Sequence, residues 1–321
     1  MICIPVKQVS KRINTIFKAI SLYLRPSTPY PESILPQELI DAIIDELGSQ
    51  FVSNFDNHSI EFQTLQNCVL LSKSFRLRAT RWVFFRVRFE GRWTDETWIH
   101  KRVEGFLKIL IANPSIGGSV RELFIKTSQS GLDFWLKDNA SLVSVLGQLS
   151  QIQRFNLGYG LRHINWEKLP MKTATALQCT IQSPSIRYLE LRDINKFPWF
   201  ILAGCRTLKD LVISRVQPSR RHFIVPSAMI PVLESVFIIS AYSTAVRLLS
   251  DPIAAQMFSQ LRTLSVGFHH LWETRDAAKF IIQVGQTLET LNVFALNDKL
   301  STYYQLSSLQ RQVEALNLDS K

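Results

Sequence analysis

Apolar residues near the start of the chain recur at helical spacing. Along residues 35–47 they form one stripe, which consists of Leu35, Leu39, Ile40, Ile43, Ile44 and Leu47. Spacings of three and four residues bring these side chains to one face because an α-helix turns once per 3.6 residues. Pro36 suits the first turn, where the N–H that proline lacks would have no partner within the helix. The pattern therefore predicts an amphipathic helix that begins near Pro36.

A second apolar stripe follows a polar break at residues 48–60. It consists of Leu65, Cys68, Val69, Leu71, Phe75 and Ala79, and Trp82, Phe84 and Phe85 close it. Arginines occupy the opposite side. The two stripes predict two or three short helices, and so small a unit buries only part of its apolar surface. We expect it to bury the remainder against another polypeptide.

Residues 31–87 resemble an F-box domain of the kind common in fungal proteins. The resemblance rests on LPxELxxxIxxxL from Leu35, LxxCxLLSKxFRxxA from Leu65, and the aromatic VFFxV from Val83. The sequence departs from the family in having Phe75 where tryptophan is usual, and in the length of the break at 48–60. The resemblance implies docking on a Skp-type adaptor subunit, with contacts from Leu35, Pro36, Leu39, Ile43, Leu65, Leu71 and Phe75.

A six-residue motif, apolar-x-x-apolar-x-apolar, repeats from residue 103 onward. It begins at Val120, Ile152, Ile186, Leu208, Leu233, Leu261 and Leu288, and an eighth copy begins at Val313. Each copy predicts a short strand. Helix-like runs lie between the copies, at 106–111, 141–149, 199–203, 244–249 and 277–284. A motif at a drifting interval of this size predicts a solenoid in which neighbouring repeats bury each other.

This part resembles leucine-rich repeats of a degenerate type. The best match is Cys205-x-x-Leu208-x-x-Leu211-x-Ile213, although the Asn or Cys ladder of such repeats is missing. The predicted fold class is thus an α/β solenoid, in which a small all-α F-box-like unit precedes a curved leucine-rich-repeat-like array of short parallel strands and helices. The predicted domains are a basic amphipathic segment at 1–30, the F-box-like domain at 31–87, and the repeat domain at 103–321.

In such strands, the second, third and fifth motif positions face outward. These positions carry five basic and five acidic residues, whereas a nucleic-acid groove should be overwhelmingly basic. A mixed face with aromatic residues suits a protein partner, because protein interfaces favour aromatic and arginine anchors. The candidate substrate-binding residues are Arg121, Phe124, Arg154, Arg187, Tyr188, Lys209, Phe237 and Arg262.

The net charge of +11 raises nucleic acid or an anionic membrane as alternative partners. Residues 76–102 carry the strongest basic character, with arginines interleaved among Trp82, Phe84, Phe85 and Trp93. The same spacing also fits an amphipathic helix that leads into a strand. Residues 1–30 fit a membrane-surface helix, a mitochondrial presequence, or a helix that leads into the F-box-like unit. No apolar run reaches the roughly 18 residues of a transmembrane span.

Enzyme signatures are missing from the chain. It contains no G-x-G-x-x-G, G-x-x-x-x-G-K-[ST], G-x-S-x-G or H-E-x-x-H motif, and its four cysteines form no C-x-x-C pair. We therefore expect no catalysis, cofactor or metal, and a reducing cytoplasmic or nuclear environment. The resemblances imply a substrate-recognition adaptor of an SCF-type cullin-RING ubiquitin ligase. The alternatives are a nucleic-acid- or chromatin-associated repeat protein and a non-degradative interaction scaffold.

Overall fold

The part of the chain that the computed structural model describes starts with three helices and continues as strands and helices. The described residues are 36–54, 59–90, 96–126, 134–137, 139–158, 163–219, 230–239, 255–268 and 273–295. The predicted segment 1–30, the helix-like run 244–249 and the eighth motif copy at Val313 lie outside them. Among the described residues, no helix combines the length and the apolar content that a membrane crossing requires.

The first three helices form a unit with its own core. They are α1 (Gln37–Asn54), α2 (Ile60–Leu71) and α3 (Lys73–Val83). Their shared core consists of Ile40, Ile44, Leu47, Phe51, Leu65, Cys68 and Ala79. The predicted polar break at 48–60 is wrong at its start, because α1 runs on to Asn54. Phe51 extends the buried face by one turn, so the chain leaves the helix later than polarity alone suggests.

A polar tie holds α1 against α3. Asp45 on α1 accepts hydrogen bonds from Arg78 Nε at 2.7 Å and from Trp82 Nε1 at 2.9 Å. The Trp82 ring also lies directly on Gly48, where a Cβ atom would be only 2.0 Å from a ring carbon. The small side chain of Gly48 therefore allows α1 and α3 to approach closely.

Within the described residues, nine strands form one open, entirely parallel sheet. They are β1 (Arg86–Glu90), β2 (Glu122–Lys126), β3 (Arg154–Leu157), β4 (Ile164–Asn165), β5 (Tyr188–Phe197), β6 (Asp210–Pro218), β7 (Ser235–Ile239), β8 (Thr263–Phe268) and β9 (Thr290–Ala295). The order is β1-β2-β3-β5-β6-β7-β8-β9, and the short β4 pairs beside β5. The predicted combination of parallel strands and helices is thus confirmed as an α/β fold.

The strand register follows the sequence motif. All seven copies within the described residues form strands, and their third positions lie opposite one another from Glu122 in β2 to Thr290 in β9. β1 extends the series, with Arg86 opposite Glu122. Its residues also fit the motif from Phe84, which the sequence analysis missed by assigning this aromatic run to the helical unit. β1 therefore crosses the boundary predicted at residue 87.

Backbone hydrogen bonds repeat at each junction along the β1–β9 path. The carbonyl oxygen at motif position two accepts bonds from the N–H groups at positions two and three of the next copy. Arg187 O, for example, accepts from Lys209 N at 2.9 Å and Asp210 N at 3.0 Å. The same pair of bonds recurs at seven junctions from Phe85 to Arg262, at 2.7–3.1 Å. This ladder fixes the register independently of the side chains.

Helices are described in several of the connections between strands. They are α4 (Glu96–Ala112), α5 (Phe134–Lys137), α6 (Ala140–Gln148), α7 (Met171–Ile181), α8 (Phe200–Ala203) and α9 (Glu273–Val284), with 3₁₀ turns at Pro114–Ser119 and Trp166–Lys168. Four predicted runs correspond to α4, α6, α8 and α9, whereas α7 was missed. Two of its buried residues, Thr173 and Thr180, are polar, so hydropathy understates its buried face. The Thr180 hydroxyl donates to the Ala176 carbonyl at 2.9 Å, which satisfies it within the helix.

Among the described residues, the helices pack against one face of the sheet and not against the other. Motif positions one, four and six from Val120 to Val266 are almost completely buried in a core that also contains helix residues such as Val103, Leu177 and Phe280. Leu291, at position four of β9, differs from its counterparts because it is 44% exposed. Positions three, five and seven face the opposite way, since side chains alternate along a strand.

Candidate binding surfaces

Four leucines of the helical unit lie exposed. We call Leu39, Leu70, Leu71 and Leu77 the leucine patch, and their exposed fractions are 47%, 77%, 53% and 77%. Gln37 Nε2 donates a long bond of 3.4 Å to the Ser74 carbonyl, which brings the start of α1 to the start of α3. α2 ends at Leu71, two residues before α3 begins at Lys73, Leu39 lies in the first turn of α1, and Leu77 lies in the second turn of α3. Single exposed apolar residues are common, but several large ones on one small helical unit are typical of an interaction site.

The structure divides the predicted adaptor-binding residues between the surface and the interior. Pro36, Leu39 and Leu71 are exposed, whereas Ile43 and Phe75 are half-buried against the helical core. Leu65 is fully buried within this core, and Leu35 lies outside the described residues.

Two members of the leucine patch were missed from the sequence. Leu70 lies off the apolar stripe of α2, and Leu77 sits among the arginines of α3. Their signal is an apolar residue on an otherwise polar helical face, which a search for core stripes ignores.

The second surface is the uncovered side of the sheet. We define the open face as motif positions three, five and seven of the paired strands. In chain order it consists of Arg86, Arg88, Glu90, Glu122, Phe124, Lys126, Arg154, Asn156, Gly158, Tyr188, Glu190, Arg192, Asp210, Val212, Ser214, Ser235, Phe237, Ile239, Thr263, Ser265, Gly267, Thr290, Asn292 and Phe294. Its chemistry changes between β5 and β7.

Cations on the β1–β5 half already have carboxylate partners. Arg86 and Arg154 flank Glu122, with Arg154 at 3.8 Å. Glu90 contacts Lys126 at 2.6 Å and Arg88 at 3.9 Å. Arg192 pairs with Glu190. Each cation of this half therefore has a carboxylate partner, and the five cations share three carboxylates.

On the β1–β5 half of the open face, arginine side chains also pack over aromatic rings. The Arg88 guanidinium lies over the Phe124 ring at 4.9 Å, and that of Arg154 lies over Tyr188 at 4.2 Å. The Tyr188 hydroxyl contacts Glu190 Oε2 at 3.0 Å. Burial and then the neighbouring charge of Glu190 raise the pKa of Tyr188 to about 12, so its hydroxyl stays protonated and donates to Glu190.

The β7–β9 half carries no charged side chain at the described positions of the open face. Phe237 on β7 and Phe294 on β9 contact edge to face across β8, with centroids 6.0 Å apart. Phe294 is 45% exposed, Ile239 at the end of β7 is half-buried, and Val212 on the neighbouring β6 is buried. Small residues of β8, Ser265 and Gly267, lie beneath the two rings. This half is an apolar surface with a few hydroxyl and amide groups.

Asp210 lies where the two halves meet. It is half-buried, and burial, followed by the negative charge of Glu234, raises its pKa above the ordinary value, whereas Arg154 acts in the opposite direction. Among the described residues, no side chain donates a hydrogen bond to its carboxylate or forms an ion pair with it. Asp210 therefore differs from Glu90, Glu122 and Glu190, whose charges are neutralised within the face.

The predicted substrate-binding residues divide between the open face and its rim. Phe124, Arg154, Tyr188 and Phe237 lie on the open face. Arg121, Arg187, Lys209 and Arg262 lie at motif position two, on the rim that leads into the strands. Two of these form cross-strand ion pairs, Lys209 with Glu234 at 2.8 Å and Arg262 with Glu289 at 3.8 Å.

The basic segment 76–102 folds as the end of α3, β1 and the start of α4, with 91–95 outside the described residues. Arg86 and Arg88 are engaged by carboxylates, and Phe84 packs on Phe106 with centroids 6.2 Å apart. Trp82 and Phe85 stack at 5.5 Å. The aromatic residues of this segment are thus used for packing, which fits the interpretation of a helix leading into a strand.

Within the part of the chain that the structure describes, no three His, Cys, Asp or Glu side chains gather as a metal ion would require. No family model matches the chain, and no curated protein matches its sequence.

Proposed function

We propose that this chain is the substrate-recognition adaptor of an SCF-type cullin-RING ubiquitin ligase. In this proposal α1–α3 are an F-box-like domain that docks on a Skp-type subunit. The strands and helices that follow are a curved, leucine-rich-repeat-like solenoid whose open face binds a target protein. The chain itself performs no chemistry.

The leucine patch is the observation that carries the proposal. The helical unit already has a core of its own, so the four leucines are not needed to complete it. Burying one leucine side chain contributes about 1.5–3 kcal/mol, so four exposed leucines represent a substantial driving force for association. Leu39 and Leu71, which the F-box resemblance implies as contacts, belong to this patch.

Strand order and register support the repeat part of the proposal. The main strands follow one another across the sheet in chain order, and each motif copy pairs with the next in the same register. In a solenoid, each repeat contacts chiefly its neighbours and the array presents one long surface to a partner.

The mechanism that follows is tethering. A target held on the open face would share one assembly with the ubiquitin-charged conjugating enzyme, which the ligase recruits through other subunits. Tethering raises the effective concentration of the target's lysines near that enzyme, and no new catalytic group is needed from the adaptor.

Co-purification of the full chain with the Skp-type subunit tests the proposal. The Leu39→Asp, Leu71→Asp double variant should lose the subunit, because two charges would have to be desolvated at the interface. A matched control is Ile111→Asp with Met171→Asp, since both residues are exposed apolar side chains on the repeat part. Undiminished capture by the Leu39/Leu71 variant would refute the docking proposal.

Turnover of the captured targets then separates a ligase adaptor from a scaffold. Targets that co-purify should accumulate when the chain is depleted or the proteasome is blocked. Unchanged target levels would favour a non-degradative scaffold.

A further inference from the structure

On the open face, the carboxylate of Asp210 has no ion-pair partner among the described residues, and it lies next to the apolar β7–β9 half. The five cations of the open face, Arg86, Arg88, Lys126, Arg154 and Arg192, each lie within 4.0 Å of a carboxylate. Of its four carboxylates, Asp210 has no such partner among the described residues. A basic side chain can therefore pair with Asp210 without breaking an existing ion pair.

Position within the sheet links Asp210 to the apolar half. Asp210 and Val212 point to the same side of β6, and Val212 lies directly opposite Phe237 on β7. Phe294 contacts Phe237 from β9. Strands are about 4.8 Å apart and rise about 3.3 Å per residue, so Phe237 lies on the order of 8 Å from Asp210 and Phe294 roughly 20 Å away.

We propose that the open face binds an extended peptide segment of a protein partner, in which a lysine or arginine pairs with Asp210 and an aromatic or aliphatic side chain packs on Phe237 and Phe294. The dimensions above place these two side chains about two to six residues apart in an extended peptide. This inference rests on the proposed function, because it specifies the class of target that the repeats hold.

Electrostatics distinguishes this occupant from nucleic acid. A polyanion needs lysines and arginines along its path, and the open-face positions of β6–β9, where Asp210, Phe237 and Phe294 lie, carry none. A half-buried carboxylate without a partner is unfavourable, because burial removes hydration that nothing replaces. A cation from the target would restore that stabilisation, and it would return the raised pKa of Asp210 toward its ordinary value.

Selection from a random twelve-residue phage-displayed peptide library on the full chain tests the inference. Enriched peptides should carry Lys or Arg followed or preceded, about two to six residues away, by an aromatic or aliphatic residue. Synthetic copies of the winners should bind Asp210→Asn at least about tenfold more weakly, since charge-assisted hydrogen bonds are worth more than neutral ones. Phe294→Ser should weaken the same peptides, whereas Glu104→Gln, an exposed site on α4, should not.

A charge reversal excludes a purely structural role for Asp210. Selection on Asp210→Lys should enrich Asp or Glu at the position where the wild type selects Lys or Arg. Enrichment without a basic residue, no enrichment at all, or an unchanged preference on Asp210→Lys would each overturn the inference.

Two controls identify other occupants. Salt-dependent binding of a 20-nucleotide DNA probe that Asp210→Lys strengthens would identify nucleic acid as the occupant. Concentration-dependent self-association that Phe294→Ser abolishes would identify a second copy of the chain, and either result would contradict the inference. Binding of the Skp-type subunit is measured on the same preparations, so failure of peptide selection with intact adaptor binding would leave the docking proposal standing.

Discussion

Arg215 on β6 holds the buried carboxylate of Asp193 on β5 with two hydrogen bonds. Arg215 Nε donates to Asp193 Oδ1 at 2.6 Å, and Nη2 donates to Oδ2 at 2.9 Å. Both residues have a positive φ, which is 55° at Asp193 and 51° at Arg215. They occupy the same motif position on adjacent strands. Asp193 is only 4% exposed, so water can replace little of this hydrogen bonding. The pair therefore locks the carboxyl ends of β5 and β6 together.

Arg215→Ala should destabilise the fold by roughly 1–3 kcal/mol, because it leaves a buried carboxylate without its two donors. Chemical denaturation followed by circular dichroism measures the free energy of unfolding. Lys196→Ala is the control, since its ion pair with Glu167 is largely exposed and should contribute little. Equal effects of the two substitutions would show that the Asp193 pair has no special role.

A recurring hydroxyl bond between repeats gives a second prediction. The side chains of Ser185, Thr207 and Thr287 each precede a motif copy and donate to the first-position carbonyl of the preceding copy, at 2.7–2.9 Å. Thr207→Val keeps the shape but removes the donor to Ile186 O, and should cost about 1 kcal/mol in unfolding free energy. Thr290→Val, at an exposed position, should be close to neutral. An unchanged unfolding free energy for Thr207→Val would show that this hydrogen bond does not stabilise the fold.

Replacing either of two glycines by alanine should change the stability of the fold in opposite directions, because only Gly48 lies where α1 and α3 approach closely. Gly48→Ala should destabilise the chain by about 1–3 kcal/mol, because the new methyl group overlaps the Trp82 ring. Gly105→Ala meets no atom within 4 Å and should stabilise α4 by roughly 0.5–1 kcal/mol through helix propensity. Thermal unfolding of both variants measures the signs, and a stabilising Gly48→Ala would contradict the packing of Trp82 against α1.

Acid should weaken the tie between α1 and α3. Hydrogen bonds from Arg78, opposed by burial and aided by Trp82, hold the pKa of Asp45 below its ordinary value of 3.8. The unfolded chain therefore binds a proton at higher pH than the folded chain does. The stabilisation is fully present above about pH 4 and is lost as pH falls through the lowered pKa.

Comparison with Asp45→Asn measures this contribution. The difference in unfolding midpoint between the wild type and this variant should be largest near neutral pH and should shrink as pH falls from 5 to 2.5. A difference that stays constant across this range would show that the Asp45 charge does not contribute.

Sequence periodicity predicted the strands well because one motif recurs in each of them. The six-residue pattern identified Val120 and Leu261 as starts of buried repeats by their apolar spacing alone. It failed at Phe84, where the same pattern overlaps the end of a helix, and at α7, whose buried threonines are polar. Local spacing cannot decide between two elements that both accept the same residues.

The spacing of residues along the sequence could not predict contacts between residues that are far apart in the chain. Nothing in the sequence marks Arg215 as the partner of Asp193, because register brings them together only after the strands form. Likewise, a helical stripe cannot tell which apolar residues face the chain's own core. Ile40 and Leu39 are neighbours in sequence, yet Ile40 is buried and Leu39 is exposed, as only the packing of α1 against α2 and α3 determines.

Titration of the full chain with a purified Skp-type subunit tests the central claim most directly. Isothermal calorimetry should give saturable one-to-one binding for the wild type, and replacing Leu70 and Leu77 by Asp should weaken it at least about a hundredfold, since about 2.7 kcal/mol of apolar burial corresponds to that factor. The Ile111→Asp, Met171→Asp control should bind like the wild type. Absent binding of the wild type, or equal affinity of the Leu70/Leu77 variant, would contradict the account.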